Sequence, residues 1–214
     1  MPEHIISFVA HNDDHTIGAG GALAKYAREG CIFHTYVFSY GAYSHPHIKE
    51  HIIEKEREDE SYIAEKVLGG NDLNYFGFAE TKFYEEAKKH KIHKIIRDII
   101  NKYKPKKIFT HCCDDPHKDH RSVHNIVMDV VKKMKYTGSV YSFEVWNILS
   151  VKNKNKPKLV VDITKTFKTK INAMNSFKTQ KVTLFSMIPA VYIRNTLAGI
   201  KYGKRYAEVF FKEK

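Results

Sequence analysis

The chain has 214 residues, of which 43% are hydrophobic and 28% charged, and its formal net charge at pH 7 is +12. These values are typical of a globular enzyme with one buried core, so we expect a single domain over residues 1–214. No apolar stretch approaches the roughly 18 residues of a membrane span, and residues 1–4 lack the basic start of a secretory signal. Three cysteines without a CxxC pair argue against a disulfide framework and favour a cytoplasmic setting.

Two kinds of apolar pattern alternate along the chain. Continuous apolar runs predict buried strands, and apolar residues at helical spacing before a glycine or proline predict helices. In chain order the predicted elements are a strand over 5–10, helix Thr16–Glu29, a strand over 31–39, loop Gly41–His51, helix Glu54–Leu68, strand Leu73–Phe78, helix Tyr84–Tyr103, strand Lys107–His111, helix His120–Met134, strands over 139–149 and 158–163, helix Phe167–Lys181 and strand Ala207–Phe211. This alternation predicts an α/β fold, a Rossmann-like three-layer sandwich with a mostly parallel central sheet.

Two acidic-histidine clusters follow two of the predicted strands. Residues 10–15 (AHNDDH) come after the first strand, and residues 114–120 (DDPHKDH) come soon after the strand Lys107–His111. The carboxyl ends of neighbouring parallel strands meet in the crevice where open α/β sheets bind ligands. Imidazole nitrogens and carboxylate oxygens are the ligands of a catalytic zinc site with an open position. The clusters therefore indicate a metal-dependent catalytic site at this edge of the sheet.

The individual residues of the clusters allow more than one interpretation. His11 and Asp14 are three residues apart at a strand-to-helix turn and could face one ion, but an aspartate helix cap beside a solvated histidine has the same pattern. His117 and His120 could share a face of the next helix, and Asp119 is well placed to orient a neighbouring imidazole. We expect ordinary buried or hydrogen-bonded side chains at the other histidines discussed, which are His15, His45, His47, His51, His111 and His124.

The glycines and the basic residues favour ordinary structural roles. Residues 17–21 (IGAGG) fail the GxGxxG spacing because Leu23 occupies the third glycine position, so we expect close helix–sheet packing there. The basic residues lack an RNP or zinc-finger motif, and no nucleic acid is expected. A positive field that gathers anionic small substrates, or that lies near an anionic membrane surface, is favoured instead. The basic density is highest at Lys102–Lys107, Lys152–Lys158 and Lys165–Lys181.

The motifs of this chain resemble those of the LmbE-like, or PIG-L, deacetylases. That family includes N-acetylglucosaminyl-phosphatidylinositol deacetylases and enzymes of the mycothiol and bacillithiol pathways. Residues 10–15 resemble its AHPDDE signature, and residues 117–120 (HKDH) resemble its HPDH signature. Further matches cover nearly all of the chain: Arg57 and Glu60 before Val67–Gly69, residues 76–80 (FGFAE), residues 162–164 with Lys170, Ala173 and Gln180, and residues 207–210 (AEVF).

The resemblance implies a role for each matching residue and one zinc ion per chain, with another divalent ion as the alternative. Three departures remove no ligand, since Asn12 and Lys118 stand where the signatures have proline and His15 stands where the first has glutamate. The implied roles are His11, Asp14 and His120 as metal ligands, Asp13 as general base, His117 as the group that polarises the carbonyl or stabilises the oxyanion, Asp119 as its support, and Arg57 as a substrate contact.

The expected activity, as the resemblance implies it, is zinc-dependent removal of the acetyl group from an N-acetylated amino sugar or its conjugate, of the N-acetylglucosamine type, with release of acetate. The expected partner is this small molecule. The basic surface leaves open that the substrate carries a phosphate or a nucleotide. A homo-oligomer also stays open. One alternative is a zinc hydrolase acting on a non-sugar N-acyl amide. Another is a binding module in which the clusters are degenerate and the basic faces contact nucleic acid or a membrane.

Overall fold

The computed structural model describes residues 2–41, 50–146 and 156–214. Most of the predicted loop Gly41–His51 lies outside these residues, as do positions 147–149 of the strand predicted over 139–149 and most of Lys152–Lys158. The strands are β1 (His4–Val9), β2 (Ile32–Val37), β3 (Asp72–Tyr75), β4 (Lys107–His111), β5 (Ser139–Phe143), β6 (Lys158–Asp162) and β7 (Ala207–Lys212). The helices are α1 (Asp14–Arg28), α2 (Glu50–Leu68), α3 (Phe83–Lys89), α4 (Ile92–Tyr103), α5 (Lys118–Lys133), α6 (Phe167–Met174) and α7 (Lys181–Lys201).

The strands form one sheet in the order β3-β2-β1-β4-β5-β7-β6. Strands β3, β2, β1, β4 and β5 pair in parallel, whereas β7 runs antiparallel to both β5 and β6. The predicted α/β fold with a mostly parallel central sheet is confirmed. None of the described helices is long and apolar enough to cross a membrane.

Strand β1 is buried on both sides because its apolar side chains alternate between two cores. Ile5 and Val9 belong to the core on the side of α1, α2, α6 and α7. Ile6 and Phe8 belong to the core on the side of α3, α4 and α5. This continuous apolar run is typical of a central parallel strand covered on both faces, and β1 lies between β2 and β4 in the sheet.

The prediction of one helix over Tyr84–Tyr103 is wrong, because two helices occupy this stretch. The chain turns at Lys91, whose φ of 51° is left-handed, and α4 begins at the next residue. This turn lets α4 bury Ile92, Ile96 and Ile100, which follow one another at intervals of one helical turn.

The predicted helix Phe167–Lys181 is also too long, and the helix after it was not predicted. Helix α6 ends at Met174, and the 21-residue helix α7 begins at Lys181. Two features of α7 hide it in the sequence. It has apolar residues on its exposed side as well as on its buried side, and it contains Pro189, which normally marks a helix end.

The glycines of α1 pack as predicted. A Cβ atom placed on Gly21 would lie 2.8 Å from Cδ1 and 2.9 Å from Cβ of Ile163. The absence of side chains at this position lets α1 approach the chain that follows β6. These glycines therefore bring α1, and the residues at its start, close against the sheet.

Candidate metal and catalytic site

The two predicted clusters lie side by side at one edge of the sheet. Strands β1 and β4 are parallel neighbours, with Ile6 opposite Ile108 in the register. From β1 the chain passes through α1 to β2 on one side, whereas β4 pairs with β1 on the other side. Such a point, where the strand order reverses, opens a crevice beyond the carboxyl ends of the strands.

The three residues predicted as metal ligands come together in this crevice. Oδ1 of Asp14 lies 3.2 Å from Nε2 of His120, and Oδ2 of Asp14 lies 3.5 Å from Nδ1 of His11. The rings of His11 and His120 have their centroids 5.5 Å apart. Asp14 begins α1 and His120 lies in the first turn of α5, so two strand-to-helix connections place one carboxylate between two imidazoles.

The carboxylate of Asp115 lies against the ring of His120. Its Oδ1 lies 3.0 Å from Nδ1 of His120 and also accepts a hydrogen bond from the backbone N–H of His117 at 2.9 Å. Both Asp115 and His120 are fully buried. A carboxylate on one ring nitrogen directs the other nitrogen outwards, and here Nε2 is directed to Asp14.

Asp119 faces His11 through its carboxylate and His117 through its backbone. The carboxylate accepts the N–H of Thr81 at 3.0 and 3.1 Å and lies 3.6 Å from Nε2 of His11. Glu80 approaches the same nitrogen at 3.5 Å. The backbone N–H of Asp119 donates to Nδ1 of His117 at 3.2 Å. The carboxylate thus lies against His11, and the support of His117 by Asp119 stays a prediction.

His117 completes a group of three neighbouring imidazoles. Its ring centroid lies 5.0 Å from that of His11 and 4.7 Å from that of His120. Burial, and then the positive charge of those two histidines, lower the pKa of His117. Because Nδ1 accepts the Asp119 N–H, the proton of the neutral ring is assigned to Nε2.

The carboxylates make this crevice strongly attractive to positive charge. Burial by itself would lower the pKa of His11, but Asp119 and Asp14 overcome it and raise that pKa to about 10. In the same way Asp14 and Asp115 overcome burial and raise the pKa of His120 to about 9. Burial would raise the pKa of Asp14, yet His120 and its other imidazole neighbours hold it well below its usual range.

The donor set fits a divalent metal ion. Nε2 of His11 and both ring nitrogens of His120 are buried and have no hydrogen-bond partner among the described residues, although carboxylate oxygens lie within 3.6 Å of each. Nitrogen and oxygen donors of this kind suit zinc and other first-row divalent ions. A cation here would take the place of the two protons that the carboxylates draw onto the imidazoles.

His111, predicted to be an ordinary buried histidine, also lies against this group. Its Nε2 lies 3.2 Å from Oδ2 of Asp14, and its ring stacks on His120 at 3.9 Å. The same Nε2 accepts the backbone N–H of Ala10 at 2.9 Å. Burial, and then His120, lower the pKa of His111 to about 4. At this site, Asp14, His111 and His120 could together approach one ion, and so could His11, His117 and His120. The hydrogen bond from Ala10 occupies Nε2 of His111, which favours His11 over His111 as a ligand.

The carboxylate of Asp13 lies beside the three candidate ligands and is largely buried. Its Oδ2 accepts a hydrogen bond from the side-chain amide of Gln180 at 3.0 Å. Burial and the neighbouring Asp14 raise the pKa of Asp13, whereas Arg57 and His11 oppose that rise. Asp13 is therefore a carboxylate with an increased affinity for a proton next to a candidate metal site.

Gln180 is held in place by a second contact across the fold. Thr179 donates to the carboxylate of Glu60 through its N–H at 2.9 Å and through its hydroxyl at 2.6 Å. Glu60 lies on α2, and residues 179 and 180 immediately precede α7. The chain before α7 is thus tied both to α2 and to the candidate base.

Arg57 is buried on α2, and its guanidinium donates to the backbone carbonyls of Tyr40 and Gly41. Its own carbonyl accepts the side-chain amide of Asn12 at 3.2 Å. Arg57 therefore connects the end of the segment after β2 to the first cluster. Its predicted contact with substrate stays a prediction.

The family model described as PIG-L, GlcNAc-PI de-N-acetylase, matches residues 6–131, which include most of β1, all of β4 and both clusters. The chain belongs to the PIG-L family. The resemblance inferred from the two signatures is thereby confirmed, and the family model is described by a de-N-acetylase activity.

Solved structures share this fold at low sequence identity. N,N'-diacetylchitobiose deacetylase from Pyrococcus horikoshii is 20% identical with a TM-score of 0.81, over 98% of this chain and 83% of that one. The teicoplanin deacetylase Orf2, in its zinc-inhibited form, is 14% identical with a TM-score of 0.79, over 98% and 97%. The 4-carboxy-2-hydroxymuconate hydratase from Pseudomonas putida is 20% identical with a TM-score of 0.82, over 99% and 96%.

The three departures from the PIG-L signatures have structural explanations. Asn12 makes a side-chain hydrogen bond to the Arg57 carbonyl that a proline could not make. His15 pairs with Glu65 of α2 at 3.0 Å, so it is buried against that helix. Lys118 is exposed at the first position of α5, where proline is tolerated but not required.

Three site residues were given no role from the sequence. Asp115 lies within the second cluster, but its spacing does not distinguish it from Asp114. Glu80 and Gln180 fall in segments that match the family, yet each reaches the site only through the fold, from the loop before α3 and from the start of α7.

His124, predicted to be hydrogen-bonded, donates from Nδ1 to the carbonyl of His111 at 2.7 Å.

Proposed function

We propose that this protein is a zinc-dependent N-deacetylase that acts on an N-acetylated amino sugar or its conjugate, of the N-acetylglucosamine type. Membership of the PIG-L family supports deacetylation. The observation that carries the proposal is the 3.2 Å approach of Asp14 to His120 at the ends of two neighbouring strands. We assign His11, Asp14 and His120 as the ligands of one zinc ion.

The chemistry assigned to Asp13 follows from its position and burial. Zinc, when bound, lowers the pKa of a water molecule and polarises the acetamide carbonyl. Asp13 accepts a proton from the attacking water, and its raised pKa helps it to keep that proton. It then delivers the proton to the amine nitrogen as the C–N bond breaks, which releases acetate and a free amine.

His117 is assigned to the oxyanion that forms at the carbonyl oxygen. With Nδ1 held by the Asp119 N–H, the neutral ring offers the Nε2 proton as a hydrogen-bond donor. The loss of one such donor raises the barrier by roughly 2.7–4 kcal/mol in other enzymes. Asp119 positions His117, and Arg57 is assigned to substrate binding.

The test is acetate release by the zinc-loaded protein from UDP-N-acetylhexosamines, inositol-linked N-acetylglucosamine and chitin oligomers. We expect Asp13→Asn to keep its zinc and to lose about 10²–10⁴-fold in kcat, whereas the exposed control Asp98→Asn keeps its activity. The His11→Ala/His120→Ala double variant should lose stoichiometric zinc. Normal turnover by Asp13→Asn would exclude Asp13 as the base.

A hydratase shares this fold, so hydration is one alternative to deacetylation that the same assay addresses. A hydratase adds water across a double bond and releases no acetate. Acetate release from N-acetylated amino acids, without release from sugars, would instead favour the non-sugar amide hydrolase. Equal activity on charged and uncharged sugars would argue against a phosphate or nucleotide in the natural substrate.

A further inference from the structure

Helix α7 carries an exposed apolar stripe on the side that faces away from the core. Its buried side packs Leu184, Met187 and Val191 into the core shared with α1, α2 and α6. Val182 and Phe185 on the opposite side are 89% and 84% exposed. The stripe consists of Val182, Phe185, Pro189, Ile193, Leu197 and Ile200.

The stripe is continuous along the helix. At 100° per residue its six positions fall within about 120° of the helix circumference, and at 1.5 Å per residue it extends for about 27 Å. Monomeric soluble proteins seldom leave so large a contiguous apolar surface in water. Between 48% and 89% of the surface of Val182, Phe185, Ile193, Leu197 and Ile200 is exposed among the described residues, so the stripe offers an apolar surface to a partner.

The charge around the stripe identifies the chemistry of that partner. Residues 163–207 contain nine basic residues and no acidic residue. Exposed basic residues stand at both ends of the stripe, and one acidic neighbour from β6, Asp162, lies 3.9 Å from Lys204. The basic residues at the two ends are Lys178, Lys181, Lys201, Lys204 and Arg205.

An aromatic side chain adjoins the stripe. Trp146 is 45% exposed and lines a cavity of about 240 Å³ together with Ser186 and Ala190 of α7. Tryptophan is enriched where a hydrocarbon layer meets polar headgroups. An apolar helix face with basic ends and a neighbouring tryptophan is typical of helices that lie in the plane of a membrane surface.

We propose that α7 docks this protein on an anionic lipid bilayer, with the stripe against the acyl region and the basic ends at the headgroups. A second copy of this chain is a poorer occupant, because two such faces would bring the same positive charges together. The first residue of the stripe follows Gln180 by two positions, and Gln180 contacts Asp13. Docking therefore places the candidate catalytic crevice close to the bilayer.

The test is flotation of the full chain with vesicles of phosphatidylcholine alone or mixed with phosphatidylglycerol, and it requires no enzymatic activity. We expect binding to the anionic vesicles that weakens with salt. Val182→Ser/Phe185→Ser should weaken it about tenfold or more, whereas the control Ile63→Ser/Val67→Ser on exposed α2 positions should not. Lys178→Gln/Lys181→Gln should weaken it roughly fivefold per charge, in contrast to Lys132→Gln/Lys133→Gln.

Three results would overturn the proposal. The first is equal binding by the stripe variants and their controls, or no binding by the unaltered protein. The second is an oligomer, seen by light scattering, that the stripe variant dissociates while vesicles stay unbound, which would make the face an interface between copies. The third is a large loss of thermal stability in the stripe variant without vesicles, which would show that the stripe is covered within the chain.

Discussion

Gln180 donates a hydrogen bond of 3.0 Å to Asp13 although 167 positions separate them in the chain. Through this bond the start of α7 reaches the carboxylate beside the candidate metal site. Glu60 supports the arrangement by binding Thr179, the residue before Gln180. The position of the candidate base thus depends on an element outside both signature clusters.

Substitution of Gln180 tests this dependence. We expect Gln180→Ala to reduce kcat about tenfold, the effect of removing one hydrogen bond to a charged group, while KM and zinc content stay unchanged. The exposed Asn172→Ala on α6 is the control. Glu60→Gln should act through the same contacts, since Glu60 holds Thr179 and thereby Gln180. The effect of both substitutions together should therefore be less than additive. Additive losses would contradict a shared path.

Asp115→Asn should weaken zinc binding by about 10–100-fold, because the carboxylate that orients His120 is lost. Competition with a chelator of known affinity measures the change. Asp114→Asn removes the same charge at the adjacent position, where the carboxylate accepts from Cys112 at 2.8 Å. An equal loss in both variants would show that charge, and not orientation, matters.

Gly21→Ala should destabilise the fold by about 1–3 kcal/mol, because its new methyl group would meet Ile163 at 2.8 Å. Urea unfolding measures the difference. Gly20→Ala is the matched control, since its nearest new contact is Cγ of Lys170 at 3.4 Å, which is an ordinary van der Waals distance. We expect Gly20→Ala to be neutral or to stabilise α1 by up to about 1 kcal/mol. Equal costs at the two positions would contradict the packing argument.

Lys170 and Glu208 form a buried ion pair with Nζ 2.6 Å from Oε1. Lys170→Met should cost about 3–5 kcal/mol, because it leaves a buried carboxylate without its cation. Glu208→Gln should cost less, since burial lowers the pKa of Lys170 to about 8 and the ammonium can lose its proton.

The double variant Lys170→Met/Glu208→Gln provides the check on this pair. Its free energy of unfolding in urea should exceed the value that the two single variants predict by addition. The amide in place of Glu208 would keep one acceptor for the N–H groups of Gly21 and Ala22. Strict additivity would show that the two charges do not interact.

The parts of the fold with regular apolar patterns were predictable. Strand β4 matches its predicted bounds, and the glycines of α1 pack as their spacing suggested. Helix α7 was not predictable in this way, because it has apolar side chains on its exposed face as well as on its buried face. Such a helix lacks the one-sided apolar pattern by which a helix is recognised in a sequence. The break at Lys91 was missed because a left-handed turn at a lysine has no strong sequence marker.

The candidate site was also predictable only in part. His11, Asp13 and Asp14 are neighbours in the chain, and so are His117, Asp119 and His120, so short-range spacing was enough to group each set and to relate it to a family. The pairing of β1 with β4 joined the two sets. Asp115 reaches His120 from within the second cluster, whereas long-range packing added Glu80 to His11 and Gln180 to Asp13. Spacing along a chain reports which side chains share a turn, whereas contacts between distant segments depend on how buried surfaces fit together.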